Sequence, residues 1–451
     1  MSADGARLSR RAWLGGAVAL AAATVSGGAR ARGRTTFGGR VSLRLPWPLA
    51  NVDPHRNDDV TAGIFGDALF DGLYAFGDGG KPVAVLAEGD PEVAGTELRV
   101  RVRTGLTTAA GRALGAREIL ASLARARGAD ARGWLADVPS PRRDGETLLF
   151  ATSDAAKLTR ALASPLVAVV ANGFVADRPD GTGAFRFERR ADGVGLVRNG
   201  RAARGGSFLD EVMLREGADL AASLRAFEAG TDDLGWLGAG LHEPRAGSRP
   251  FDVGAIGWAL LRTGRDAGTW DAPGVAQRLC DGIPPARLAH LALGAPWSQA
   301  AEQGWGGAPC DLLVRDDSPW LMELARSVAA TLSRPTHEVS VKAVPVRELR
   351  DRRSTRAYVL AIDAARAFAP GTFGALAGLA SADDLTSSAD AIRHPPRVGE
   401  VPARTLTRSM RLGVLGDIRV QGARIADLAF APSTLGVGID WGNASRVRRG
   451  P

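Results

Sequence analysis

Lysine is almost missing from this 451-residue chain: Lys81, Lys157 and Lys342 are the only three among 57 basic residues. The arginines are scattered singly. No basic run interleaved with aromatics occurs in the body of the chain, so a nucleic-acid surface is not expected despite the net charge of +8. Catalytic signatures are missing too. There is no Gly-x-Ser-x-Gly elbow, phosphate loop or His-Glu-x-x-His pair. "Gly77-Asp78-Gly79-Gly80-Lys81-Pro82" mimics a phosphate loop but puts Pro82 where Ser or Thr is required. The five histidines, His55, His242, His290, His337 and His394, stand apart from other ligand types at helical spacing. No metal, cofactor or enzyme activity is therefore expected.

Long apolar runs are also lacking. The uncharged stretch Gly15–Gly28 is too short to cross a membrane comfortably. It follows "Ser9-Arg10-Arg11-Ala12-Trp13-Leu14" and precedes "Ala29-Arg30-Ala31". A charged start, a short apolar centre and a small-residue cleavage site make residues 1–31 an expected signal peptide. The adjacent Arg10 and Arg11 fit twin-arginine export to the periplasm. Only two cysteines occur, Cys280 and Cys310, and an oxidising compartment makes a disulfide between them a candidate. Two separate buried thiols are the alternative.

What is present reads as a soluble α/β chain, 45% hydrophobic and 24% charged, long enough for two or three domains. "Val41-Ser42-Leu43-Arg44-Leu45" and "Glu97-Leu98-Arg99-Val100-Arg101-Val102-Arg103" alternate as strands. Apolar spacing over residues 59–74 predicts a helix, capped by Asp58 or Asp59. Another is expected near 116–127. Residues 184–188, 194–198 and 211–215 read as strands, 218–229 as a helix and 232–237 as a strand. From 311 to 363 the order strand, helix, strand, helix, strand implies parallel pairing in a three-layer block. "Asp316-Asp317" and "Asp383-Asp384" read as helix caps. The tail from Met410 to Phe430 reads as short strands. Prolines in "His242-Glu243-Pro244" to "Pro250" and in "Pro395-Pro396" mark crossings between domains. Ten tryptophans stand against two tyrosines, several of them beside turns and strand ends. They are core filler or the lining of an apolar cleft.

An ordered series of short motifs resembles the bacterial extracellular solute-binding proteins of family 5, the peptide, oligopeptide and nickel type that serve ABC importers. It begins with "Val52-Asp53-Pro54-His55", the helix ending in "Asp71-Gly72-Leu73-Tyr74", and "Lys81-Pro82-Val83-Ala84-Val85-Leu86-Ala87-Glu88". It continues with "Gly111-Arg112-Ala113-Leu114-Gly115-Ala116-Arg117-Glu118", "Gly181-Thr182-Gly183-Ala184-Phe185", "Arg198-Asn199" and "Phe208-Leu209-Asp210-Glu211-Val212". It departs near 270–293, where "Trp270-Asp271-Ala272-Pro273" and its sequel replace the family's usual helix. The resemblance implies a two-lobed α/β periplasmic binding protein fold with a hinge-linked interlobe cleft. Its first lobe would span 40–250 with the return 405–451, and its second 255–400.

That resemblance implies a monomer that delivers a small, peptide-like solute to an ABC transporter permease. A secreted hydrolase, or a sensor or scaffold that has lost transport, is the alternative. It also implies that ligand lies where strand ends of the two lobes face each other. On that basis Trp47, Trp236 and Trp258 are expected to stack on ligand, and Arg262 and Asp363 to read its charges. The alternative is that the tryptophans are hinge packing and the charges solvated.

Overall fold

Ten strands build one long mixed sheet in the computed structural model. It describes residues 35–45, 51–217, 220–236, 247–291, 293, 304–369, 371–383, 406–433 and 438–447. In chain order the strands are β1 (Arg40–Leu45), β2 (Phe185–Arg190), β3 (Gly193–Arg198), β4 (Glu211–Glu216), β5 (Leu234–Trp236), β6 (Ser248–Thr263), β7 (Cys310–Arg315), β8 (Val339–Val344), β9 (Leu360–Arg366) and β10 (Leu412–Ile425). Their order across the sheet is β8-β7-β9-β6-β10-β5-β1-β4-β3-β2. One end is therefore made from residues after 300 and the other from residues before 240.

The two long central strands, β6 and β10, run antiparallel through the whole middle of the sheet, with register shifts near Asp252, Ala255 and Leu260. Such shifts bend a strand and raise its twist. Most of the tail expected as short strands is instead one strand of 14 residues, β10, followed by the short strand Leu428–Ala429. Pro250, expected in a crossing loop, lies inside β6. β6 joins the pair to the end made after 300 through β9, and β10 joins it to the other end through β5.

Eight helices are described: α1 (Val60–Leu69), α2 (Ala116–Gly128), α3 (Ala155–Leu162), α4 (Leu220–Glu228), α5 (Val275–Asp281), α6 (Pro319–Leu332), α7 (Val346–Thr355) and α8 (Gly371–Ala382). β7 pairs in parallel with both β8 and β9, joined through α6 and α7, as the alternation over 311–363 predicts. α6 starts on a Ser318 cap, whose hydroxyl accepts from Leu321 N at 3.4 Å, with Pro319 in the first turn. Asp317 is thus not the cap expected of it; it pairs with Arg315. Asp383 accepts from the backbone of Arg411. α1 is capped by Asp59, which accepts from Ala62 N at 3.0 Å. It ends at Leu69 rather than near 74, because Phe70 turns extended and Tyr74 opens a strand.

The motifs that carry the resemblance meet in space. A Cβ on Gly181 would lie 2.2 Å from the Leu69 carbonyl, and one on Gly183 2.4 Å from that of Ala68. Only glycine lets this turn pass so close to the end of α1. Thr182 between them donates to Asp71 at 2.7 Å, and Asn199 donates to the Gly183 carbonyl at 2.8 Å. Arg198 donates to the carbonyls of Ser207 and Phe208 and pairs with Asp210 at 3.0 Å. These residues hold the frame together. A separate antiparallel sheet of residues 92–94, 97–101, 147–150 and 142–144 flanks it, with Leu98 and Val100 buried and Arg99 and Arg101 outward.

Candidate functional site: a cleft crossed by ion pairs

Where β7 and α7 face the segment before α1, the chain leaves a cavity of about 360 Å³. One wall is the stretch from Asn51 to Thr61. The other is the end of β7 (Arg315), the start of α6 (Ser318, Trp320) and the first turns of α7 (Val346, Arg347, Arg350). The carboxyl ends of parallel strands and the amino ends of their helices open here, the place where open α/β sheets bind ligands. Ile418 of β10 also forms part of the lining.

Ion pairs cross from wall to wall. Arg350 grips Asp58 with two bonds, at 2.8 and 2.7 Å. Arg353, one turn further along α7, reaches Asp58 at 3.4 Å, Asp130 at 3.6 Å and Asp363 at 3.1 Å. Burial alone would raise the Asp58 carboxyl, but Arg353 and Arg350 hold it well below the usual carboxylate range. Planar guanidinium forks suit such paired contacts.

The wall before α1 is braced from behind. Arg125 of α2 holds Asp53 with bonds of 3.0 and 2.8 Å, and donates to Nδ1 of His55 at 2.7 Å. The other ring nitrogen of His55, Nε2, then carries the proton and donates to the Ala168 carbonyl at 2.7 Å. Burial lowers the His55 pKa to about 4, so the ring is neutral. Arg366 of β9 donates to the carbonyls of Pro54 and Arg56, tying this stretch to the sheet. Asp59 differs from its neighbours. Its bonds are to backbone N–H groups of Asp53 and Ala62, and no arginine among the described residues pairs with it. Protein atoms surround the group and push its carboxyl up to about 6, while its remaining accessible area belongs to the cavity wall.

Behind the crossing pairs lies a second, larger cavity of about 760 Å³, between the turn after α2 (Asp130, Arg132) and the outer side of α7 and α8. Arg56, Arg347 and Arg350 border both spaces.

The structure brings Arg262 and Asp363 together, but with each other. They pair at 3.1 Å on the neighbouring strands β6 and β9, at 4% and 2% exposure. The charges expected to read a ligand are therefore neutralised within the sheet, and neither borders either cavity. Trp258 is 4% exposed and packs beneath α8, where a Cβ on Gly378 would lie 2.8 Å from its ring. Trp236 closes β5, on the far side of β10 from β6 and β9. Trp47 and the export residues Arg10 and Arg11 lie outside the described residues. Cys280, on α5, and Cys310, opening β7, are not joined by the candidate bridge, and burial pushes the Cys310 thiol up to about 11. The residues sequence reasoning missed are Asp58, Asp130, Arg315, Arg347, Arg350 and Arg353. A signal existed for Asp58: it stands with Asp59 just before a helix that needs only one cap.

No family model matches the sequence, and no curated protein matches it either. Solved structures do match. AppA from Bacillus subtilis, in complex with a nonapeptide, is 13% identical with a TM-score of 0.65, over 92% of this chain and 100% of that one. NikA from Staphylococcus aureus, in complex with Ni(L-His)2, is 14% identical with a TM-score of 0.61, over 90% and 99%. AgaA from A. tumefaciens R10, in complex with agropinic acid, is 15% identical with a TM-score of 0.64, over 91% and 99%. The chain therefore has the two-lobed periplasmic binding protein fold that its motifs imply. Within that fold it is similar alike to proteins in complex with a nonapeptide, with Ni(L-His)2 and with agropinic acid.

Proposed function

We propose that this chain is the solute-binding component of an ABC importer, capturing a small solute between its lobes outside the cytoplasmic membrane. The observation that carries this is the cavity of about 360 Å³ walled from both sides at strand and helix ends. We take residues 40–250 with 405–451 as one lobe, 255–400 as the other, and β6 and β10 as the strands that bend between them. Ligand that touches both walls stabilises the closed arrangement, as in hinge-closing binding proteins. The crossing pairs from Asp58 and Asp130 to α7 span the cleft, which favours a compact solute over a long peptide. Trp258, Arg262 and Asp363 serve the wall from below, Asp363 through its bond with Arg353. The partner is a transporter permease, and the export route is the twin-arginine one. No chemistry beyond binding is assigned.

A thermal-shift screen of small peptides, opines, metal chelates and sugars tests the proposal. A ligand that binds only the folded state at a hundred times its Kd adds about 2.7 kcal/mol of stability. At least one class should raise the melting temperature. If none does, the chain is not a solute receptor. Changing Arg10 and Arg11 together to Lys should trap precursor in the cytoplasm; unchanged periplasmic yield removes the twin-arginine route.

A further inference from the structure

The two spaces in the cleft differ in charge. The smaller is lined by four arginines and four aspartates. The larger is lined by five arginines and only two aspartates, Asp130 and Asp351. Asp130 is already engaged by Arg56 and Arg353. Two of the five arginines, Arg132 and Arg347, have no acidic partner among the described residues, and both are exposed. They stand on opposite walls: Arg132 in the turn after α2, Arg347 in the first turn of α7. Arg350 spends Nε and Nη2 on Asp58, and its Nη1 has no partner among the described residues. α7 begins on Pro345 with no side chain capping its free N–H groups, so its amino end adds to the positive field.

Like charges facing each other across a closing cleft oppose closure. A solute with several anionic oxygens placed between them reverses the sign of that term. It would accept from Arg132 on one wall and from Arg347 and Arg350 on the other. We propose that the larger, arginine-lined compartment is an anion site that draws the lobes together around a compact solute bearing two or more negative oxygens, a polycarboxylate or a phosphate. The proposal rests on the solute-receptor reading above and names the substrate class of the same cleft. Arginine forks bind both carboxylate and phosphate pairwise, so the site's geometry serves either.

Calorimetric titration of the full-length folded protein with citrate, and separately with inorganic phosphate, at low ionic strength tests this. The wild type should bind at least one of the two, and which one distinguishes the polycarboxylate from the phosphate source. Arg132→Gln and Arg347→Gln should each weaken that binding roughly tenfold or more, the loss expected for a charge-assisted bond. Both side chains are exposed, so the variants should keep the wild-type melting temperature. Arg117→Gln, an exposed arginine paired with Glu118 in the first turn of α2, at the opposite end of that helix from Arg132, controls for net charge and should bind as the wild type does. Added salt should weaken binding, because the arginines are solvent-screened. Absence of binding by both anions overturns the proposal, as does equal affinity in all three variants. If anions fail while a neutral or cationic solute in the thermal screen succeeds, the anion site falls and the receptor reading stands. If no solute of any kind acts, both fall.

Discussion

The two compartments of the cleft share Arg56, Arg347 and Arg350 and differ in nearly everything else. On the α1 side every lining cation but Arg347 meets a carboxylate: Arg350 meets Asp58, Arg315 meets Asp317, and Arg56 lies near Asp53. On the α2 side the arginines outnumber the acids. The crossing pairs are the partition, and they draw charge toward the smaller space. One set of guanidinium groups can thus serve as a latch on one face and as an open recognition surface on the other, because each carries five donors and the latch uses only some of them.

Perturbing the partition and its support sharpens this contrast. The largest effect is expected from Trp258→Ala. It removes a buried ring beneath α8, and urea unfolding should show a loss of about 3–5 kcal/mol. If stability holds while solute affinity falls, the ring belongs to the site and not to its support.

Asp58→Asn should come next. It leaves Arg350 and Arg353 facing a neutral group. Breaking a buried pair costs about 3–5 kcal/mol, and the partial exposure of Arg350 reduces the expectation to about 2–3 kcal/mol. Solute binding in the smaller cavity should fall with it. An unchanged urea midpoint would mean that the crossing pairs do not hold the lobes.

Smaller and opposite in sign is the effect of pH through Asp59. Its folded pKa is raised to about 6 from an ordinary value of 3.8, so between these values the folded state holds more protons than the unfolded one. That contribution stabilises at low pH and is lost as pH rises from about 4 to about 6. Asp58 and Asp53 act the other way: their folded pKa values are depressed, and their contribution is lost as pH falls below the ordinary carboxylate range. Asp383, also raised to about 6, adds to the Asp59 trend. The difference between wild type and Asp59→Asn isolates the group, since Asn caps a helix about as well as Asp. The variant should gain on the wild type progressively from pH 4 to 6. A constant difference would mean that Asp59 titrates normally.

Smallest is the expected effect of reductant. With no bridge between Cys280 and Cys310, melting temperature should not change on adding it, and mass spectrometry after alkylation under denaturing, non-reducing conditions should find two labelled thiols.

The sequence made the frame readable and left most of the site hidden, for physical reasons. Strand–helix alternation over 311–363 is local, and hydrophobic period reports it directly. The Gly181–Gly183 turn and the Arg198 and Asp210 steps are also local features with tight steric demands. The long strand β10 reads as short ones because its first five residues are buried in succession and lack a period of two. The site is different. Asp58 and Arg350 are 292 residues apart, and Arg353 and Asp130 belong to separate halves of the chain. In a sequence rich in scattered arginines, nothing marks which ones meet an acid across the cleft and which do not. Arg262 and Asp363 were singled out for their place on strands, and it is their placement side by side in the sheet that removes them from the wall.

Hydrogen exchange in the presence of the solute that most raises the melting temperature tests the central claim most directly. The account predicts that one ligand slows exchange on both walls together, in the stretch 51–61 and in the first turns of α7 at 346–350. Protection confined to one wall, or none at either, would contradict capture between the lobes.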